Sequence, residues 1–328
     1  MTRRIFVAGH RGMVGGAILR ALAQRHAAGE AHEILTAPRA GLDLRDRDAV
    51  VRFFHAARPD QVIIAAGRVG GIAANIAQPA EFLHDNLMIA TTIIHAAQKA
   101  GVDRLLNLGS SCIYPRDAPQ PMPEDVLMTG PLDPSNAPYA LAKIAGIALC
   151  AAYHSQYGAD FRSLMPPNLY GPGDNFHATS SHVIPALMAR MHHARHIAAP
   201  SVDIWGDGQA RREFMFVDDL ADAALFVLDL PPQAYWGALG EGLAHLNAGS
   251  GEETSVATLA RALAQVTGYG GEIRFDPAKP SGVARRIVDS RRLERLGWNA
   301  KINLHNGLIQ TYRWFIIHHE MGELRRYC

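Results

Sequence analysis

Ile5-Phe6-Val7-Ala8-Gly9-His10-Arg11-Gly12-Met13-Val14-Gly15 is the stretch on which the fold turns. Four apolar residues make a short strand, glycines follow at every third position, and helical spacing takes over from Met13. A tight glycine turn between strand and helix lets backbone approach a pyrophosphate, and the helix N-terminus then faces the negative charge. Glycines after a strand often mark an ordinary turn, so the surrounding pattern decides.

That pattern alternates. Residues 5–8, 33–36, 61–65 and 104–108 read as strands, and 13–24, 46–57, 86–100 and 138–157 as helices. The rhythm predicts an α/β fold, a Rossmann-like doubly wound parallel sheet with helices on both faces. After Met165 the order loosens into Pro166-Pro167-Asn168-Leu169-Tyr170-Gly171-Pro172. A smaller, discontinuous C-terminal substrate lobe is expected there. The expected division is 1–165 plus about 214–245 for the dinucleotide domain, and 166–213 with 246–328 for the lobe.

Composition sets outer bounds. The 328 residues carry a formal net charge of +1, which argues against a nucleic-acid partner. Cys112, Cys150 and Cys328 form no Cys-x-x-Cys pair, so neither a disulfide framework nor a thiolate metal site is expected. No apolar run approaches the roughly 20 residues of a membrane span. The N-terminus reads as a strand and not a signal peptide, so a cytoplasmic setting is expected.

The cofactor type follows from the second strand. An NAD site usually places an acid at that strand's tip to bind the ribose hydroxyls. Here the strand runs into Ala37-Pro38-Arg39 with no carboxylate. Arg39, with Arg11 from the glycine turn, is suited to clamp a 2′-phosphate, which favours NADP. Asp43 is better placed to meet adenine than ribose.

Tyr139-Ala140-Leu141-Ala142-Lys143 puts a phenol and an amine on one helical face. Ser110 stands at the end of the apolar strand upstream, in Gly109-Ser110-Ser111-Cys112. A phenol titrates near ~10 in water, and a neighbouring ammonium favours its ionised form. Ser110 would orient a carbonyl oxygen while Tyr139 hands it a proton. A thiol two residues beyond Ser110 is less usual and hints at chemistry beyond reduction.

With these residues in hand, the chain resembles the extended short-chain dehydrogenase/reductase superfamily, and within it the GDP-L-fucose synthase family. The matching strings include Gly9-His10-Arg11-Gly12, Val69-Gly70-Gly71-Ile72, Gly109-Ser110-Ser111-Cys112-Ile113-Tyr114-Pro115, Asp174-Asn175-Phe176-His177, and Ser181-His182-Val183-Ile184-Pro185-Ala186-Leu187. The resemblance implies NADPH-dependent 3,5-epimerisation and 4-keto reduction of a GDP-linked 4-keto-6-deoxy sugar, in a homodimer. It implies Cys112 as base and His182 as acid for the inversions. Thiol and imidazole suit those roles, with ordinary pKa values of ~8.5 and ~6.5 on either side of neutrality.

The same resemblance implies cofactor contacts at Gly9, Arg11, Gly12, Met13, Val14, Gly15, Arg39, Asp43, Leu44, Ala65, Leu108, Gly109, Lys143, Pro166, Asn168, Leu169 and His182. It implies sugar-nucleotide contacts at Ser111, Asn168, Val183, Leu187, Arg190, Trp205, Arg212, Ser281 and Arg286. Departures occur at Ser281, where the family has Asp, and at Arg286, where Lys is common. An NAD-bound epimerase or dehydratase, and an enzyme of a longer sugar such as a heptose, stand as alternatives. No metal is expected: His192 and His196 lie at zinc-compatible spacing but lack a further ligand and sit beside Arg190 and Arg195. Gly249-Ser250-Gly251-Glu252-Glu253-Thr254 reads as a turn and helix start.

Overall fold

The alternation of residues along the first strand decides how the layers pack. In β1 (Arg3–Ala8), Ile5 and Val7 enter one apolar cluster and Phe6 and Ala8 the opposite one. A strand buried on both faces belongs to a sheet covered by helices on both sides. The structure, a computed structural model, describes residues 2–177, 181–240, 242–279 and 283–322.

From β1 the chain passes through α1 (Met13–Ala27), β2 (His32–Leu35), α2 (Arg47–Ala57), β3 (Gln61–Ile64), α3 (Ile72–Ala77), α4 (Pro79–Ala100), β4 (Arg104–Leu108), α5 (Ala137–Tyr157) and β5 (Asp160–Met165). Next come β6 (Asn168–Tyr170), α6 (Val183–His196), β7 (Ser201–Trp205), β8 (Arg211–Phe216), α7 (Val217–Asp229), α8 (Pro232–Ala238) and β9 (Leu246–Asn247). The chain then runs through β10 (Glu253–Ser255), α9 (Val256–Thr267), β11 (Glu272–Asp276), β12 (Arg285–Arg286), α10 (Arg291–Arg295) and α11 (Leu304–Glu320).

The main sheet is parallel, in the order β2-β1-β3-β4-β5-β9. Strand order reverses between β1 and β3, and ligands of such sheets bind at the carboxyl ends beside that switch point. Helices α1 and α7 cover one face through Ile18, Leu22, Leu220 and Leu228. Helices α2 and α4 cover the other through Phe54, Ile93 and Ala97. Each of the large apolar side chains so buried contributes ~1.5–3 kcal/mol.

The lobe has its own core, in which Met188 and Met191 of α6 meet Leu259 and Leu263 of α9 and Phe315 of α11. Its strands form β10-β8-β12, with β6 also paired to β8, and a separate β7–β11 pair. The lobe boundary differs from the expectation in two places. Phe214 and Phe216 face the lobe core, so the chain rejoins the main body at α7. Strand β9 belongs to the main sheet, and Leu293 and Trp298 pack back onto the main core.

Two short elements also differ. Pro79 opens α4 at its first turn, where a missing N–H costs nothing, so α4 begins earlier than expected and α3 stands separately before it. Residues 253–255 form strand β10 against β8 before Ser255 caps α9. Among the described residues no helix is long and apolar enough to cross a membrane.

Candidate active site

The glycine turn shows why its residues cannot carry side chains. Gly9 has φ +85°, and a Cβ there would lie 2.6 Å from the Ala66 backbone nitrogen, just beyond Ala65. A Cβ on Gly15 would sit 2.2 Å from the Gly9 carbonyl oxygen. Gly12 caps α1 without a side chain, and no acid occupies that helix's first turn, which Met13 and Val14 begin. The N–H groups there point to the switch point of the sheet, a setting that favours an anionic ligand.

Arg11 and Arg39 are exposed, and neither has an ion-pair partner among the described residues. Strand β2 ends at Leu35 with no carboxylate at its tip. These residues fit a dinucleotide bearing an extra phosphate. At Asp43 the Arg45 guanidinium takes both carboxylate oxygens, at 2.7 Å and 3.0 Å, and holds the carboxyl down at about 2. Arg45 also bonds Asp85, so Asp43 belongs first to an ionic network. Leu44 anchors the same loop, its carbonyl accepting the Thr92 hydroxyl.

At the ends of β4 and β5 the backbones close on each other. A Cβ on Gly109 would stand 2.1 Å from Met165 Sδ. The Gly109 N–H donates to the Leu164 carbonyl and the Ser111 N–H to the Pro166 carbonyl. This clasp presents Ser110, which caps the turn Ser111–Ile113 and accepts the Cys112 N–H at 3.5 Å.

Lys143 reaches across to this turn. Its Nζ donates to the Leu108 carbonyl at 3.0 Å and stands 5.7 Å from the centre of the Tyr139 ring. Burial lowers the Lys143 pKa to about 8. Burial also raises the Tyr139 pKa, and the neighbouring Cys112 thiolate would raise it further. The phenol thus moves up where a lowering was expected, because desolvation of the phenolate outweighs the Lys143 ammonium beside its ring.

Cys112 is 8% exposed. Burial pushes its thiol up, while the Ser110 hydroxyl, the Arg286 guanidinium and Lys143 pull it down. The sulfur thus shares a polar cluster with Ser110, Tyr139, Lys143 and Arg286. His182 immediately precedes α6. It is the half-buried N-cap of α6, and burial alone lowers its pKa.

The expected sugar-nucleotide residues separate into four groups. Arg286 of β12 stands opposite Arg212 of β8, and Arg212 is depressed by burial and by Arg286. Arg190 is exposed and donates to the Asp203 carbonyl in β7, two residues before Trp205, which is 63% exposed. Asn168 is exposed on β6, with Leu169 partly buried beside it. Val183 lines the lobe core and Leu187, at 3% exposure, lies within it. Ser281 lies outside the described residues.

His192 bonds the Tyr312 hydroxyl and meets the rings of His196 and His319 at an angle, and burial with those neighbours holds it at about 4. No group of three or more His, Cys, Asp or Glu among the described residues is arranged to hold a metal. Sequence reading missed Tyr114, whose buried hydroxyl meets His245 and Asn247. Separations of more than a hundred residues leave no local signal for such contacts.

Known proteins are similar over nearly the whole chain. It is 50% identical over 314 residues to the GDP-L-fucose synthase of Escherichia coli (strain K12), covering 96% of this chain and 97% of that protein. It is 49% identical over 313 residues to GDP-L-fucose synthase 1 of Arabidopsis thaliana, covering 95% and 93%. The GDP-mannoheptose C4 reductase MlghC from Campylobacter jejuni, solved with NADP bound, superposes with a TM-score of 0.85 at 33% identity, covering 96% and 98%. Residues 5–235 match the model of the NAD dependent epimerase/dehydratase family. On its glycine turn, its sheet and these relatives, the chain belongs to the NAD dependent epimerase/dehydratase family.

Proposed function

We propose that this protein is an NADPH-dependent enzyme that inverts C3 and C5 of GDP-4-keto-6-deoxy-D-mannose and reduces its 4-keto group, yielding GDP-L-fucose. The single observation that carries the reading is the grouping around one turn: Cys112 bonded to Ser110, Lys143 held at the Leu108 carbonyl beside the Tyr139 ring, and Arg286 bonded to the Tyr114 carbonyl. Plain reduction needs no thiol there. Identity of 50% and 49% to two GDP-L-fucose synthases, over 96% and 95% of this chain, supports the choice of substrate.

The chemistry divides among the residues as follows. Cys112, as thiolate, removes the proton α to the carbonyl, and Ser110 and Tyr139 hold the enolate oxygen. His182, as imidazolium, returns a proton to the opposite face. NADPH, when bound across the glycine turn with Arg11 and Arg39 at its extra phosphate, supplies the hydride. Tyr139 protonates the C4 oxygen, and the ammonium of Lys143 stabilises the resulting phenolate. Arg212 and Arg286 bind the diphosphate, and Trp205 and Arg190 receive the nucleoside end.

The main body would bind NADP and the lobe the sugar nucleotide. A cytoplasmic homodimer joined along α5 completes the reading. Support comes from the exposed, closely spaced small face of that helix at Ala148 and Ala152, flanked by Leu141 at 50% and Tyr157 at 57% exposure.

Incubation with GDP-4-keto-6-deoxy-D-mannose and NADPH tests the proposal. Equimolar NADPH oxidation with an L-galacto product is expected. Product retaining the starting configuration at C3 and C5 would overturn the epimerase half. The resemblance to MlghC favours a second reading, a GDP-heptose substrate, which faster turnover of the 4-keto heptose would reveal. Tyr139→Phe should lower reduction by ~10²–10⁴-fold, the usual contribution of a positioned general acid, with NADPH binding retained.

A further inference from the structure

The turn that carries Cys112 ends in Tyr114, whose side chain is fully buried. Its hydroxyl lies 2.5 Å from Asn247 Oδ1 and 2.9 Å from His245 Nε2, both in or beside β9. The Asn247 amide nitrogen donates to the carbonyls of Met122 and Asp289, which fixes Oδ1 as the atom facing Tyr114. The single phenolic proton goes to that oxygen. The hydroxyl therefore accepts from His245, and His245 carries its proton on Nε2.

The other end of the same residue is also held. The Tyr114 carbonyl accepts from Arg286 at 3.3 Å. Met122 and Ile287 join backbone to backbone, and the Asp289 N–H returns to Met122. One buried node thus ties three segments: the thiol-bearing turn, the strand end at β9, and the strand that carries Arg286.

We propose that Tyr114 is a positioning residue for the inversion chemistry, its hydroxyl locking the Cys112 turn and Arg286 in register through Asn247 and His245. The proposal rests on the epimerase reading above and assigns a role to residues outside the reacting group. His245 suits a fixed strut. Its Nδ1 has no hydrogen-bond partner among the described residues, so a second proton would be buried and unpaired beside Arg292. Burial, then Arg292, hold it at about 4, and it keeps one neutral tautomer across the working pH range.

The test uses the full-length protein loaded with NADP⁺ in deuterium oxide, with GDP-4-keto-6-deoxy-D-mannose and no reductant. Deuterium incorporation at C3 and C5 reports the inversions, and NADPH binding is measured alongside. Tyr114→Phe should lower the exchange kcat at least about tenfold with KM changed by less than about threefold, because a small misplacement of a reacting group costs rate before binding. His245→Gln retains an N–H for Tyr114 and should stay within about threefold of the parent, whereas His245→Leu should fall about tenfold.

Exchange by folded Tyr114→Phe within about twofold of the parent would overturn the proposal. So would equal exchange by the two His245 variants, which decide the matter if Tyr114→Phe does not fold. A parent protein that binds NADPH but exchanges nothing would overturn the epimerase reading itself, and this inference with it.

Discussion

Arg286 stands opposite Arg212 in the paired strands β12 and β8, and no carboxylate lies within ion-pair distance of either among the described residues. Two guanidiniums held together cost energy unless an anion joins them. Elsewhere on the same strands the arginines are paired: Arg211 and Arg285 share Glu253. The contrast supports the inner pair as the proposed diphosphate site. Replacing either Arg212 or Arg286 with Gln should raise the Kd for GDP about 10- to 100-fold, matching a charge-assisted hydrogen bond of ~1.5–3 kcal/mol. Isothermal titration with GDP checks this, and unchanged affinity would remove the pair from the diphosphate site.

Arg39 should select the cofactor. With no acid at the tip of β2, loss of its guanidinium removes a contact only the 2′-phosphate makes. Arg39→Ala should weaken NADPH about tenfold and leave NADH binding nearly unchanged. Fluorescence titration with the two reduced cofactors reads the ratio, and parallel losses would show that Arg39 acts on something other than that phosphate.

The pH dependence of exchange has a definite shape. Burial lowers His182 below 6.5 and raises Cys112 above 9.0. Between those limits the resting pair is thiol and imidazole. The working pair, thiolate and imidazolium, holds the same number of protons, so its fraction does not vary with pH. Below the depressed His182 value both groups are protonated and no base remains. Above the raised Cys112 value both are deprotonated and no acid remains. Solvent exchange at C3 and C5 should therefore be flat from pH 6.5 until Lys143 loses its proton at about 8, and fall on both sides. A rise through neutral pH would contradict the assignment.

Gly15→Ala should damage fold and cofactor binding together. Its Cβ would lie 2.2 Å from the Gly9 carbonyl oxygen, which forces backbone to move. Overpacking of this kind costs ~1–3 kcal/mol. Thermal melting should fall and NADPH should lose its stabilising effect on the melt. A variant that melts like the parent and still gains stability from NADPH would contradict the close approach.

The parts that were legible in the sequence are those that local chemistry determines. The glycine turn, the Tyr139–Lys143 face and the Ser110 strand end each depend on residues a few positions apart. The main sheet was legible through its alternating apolar runs. Strand β10 was not, because 253–255 become a strand only by pairing with β8, some forty residues earlier. The lobe boundary slipped for a similar reason: nothing in Phe214-Met215-Phe216 says which of two cores receives the rings. Lys143 sits on the expected face, yet its partner is a main-chain oxygen, and spacing alone does not reveal one.

The crossing between the two bodies has a mechanical consequence. Pro166 accepts the Ser111 N–H from the main body, and within two residues β6 enters the lobe's sheet against β8. A second tie crosses nearby, where Met122 bonds Ile287 and Asp289 through the backbone and Arg286 reaches the Tyr114 carbonyl. Turning about Pro167 alone would break that second tie, so the angle between the thiol turn and the arginine-bearing strands is expected to hold while a ligand comes and goes.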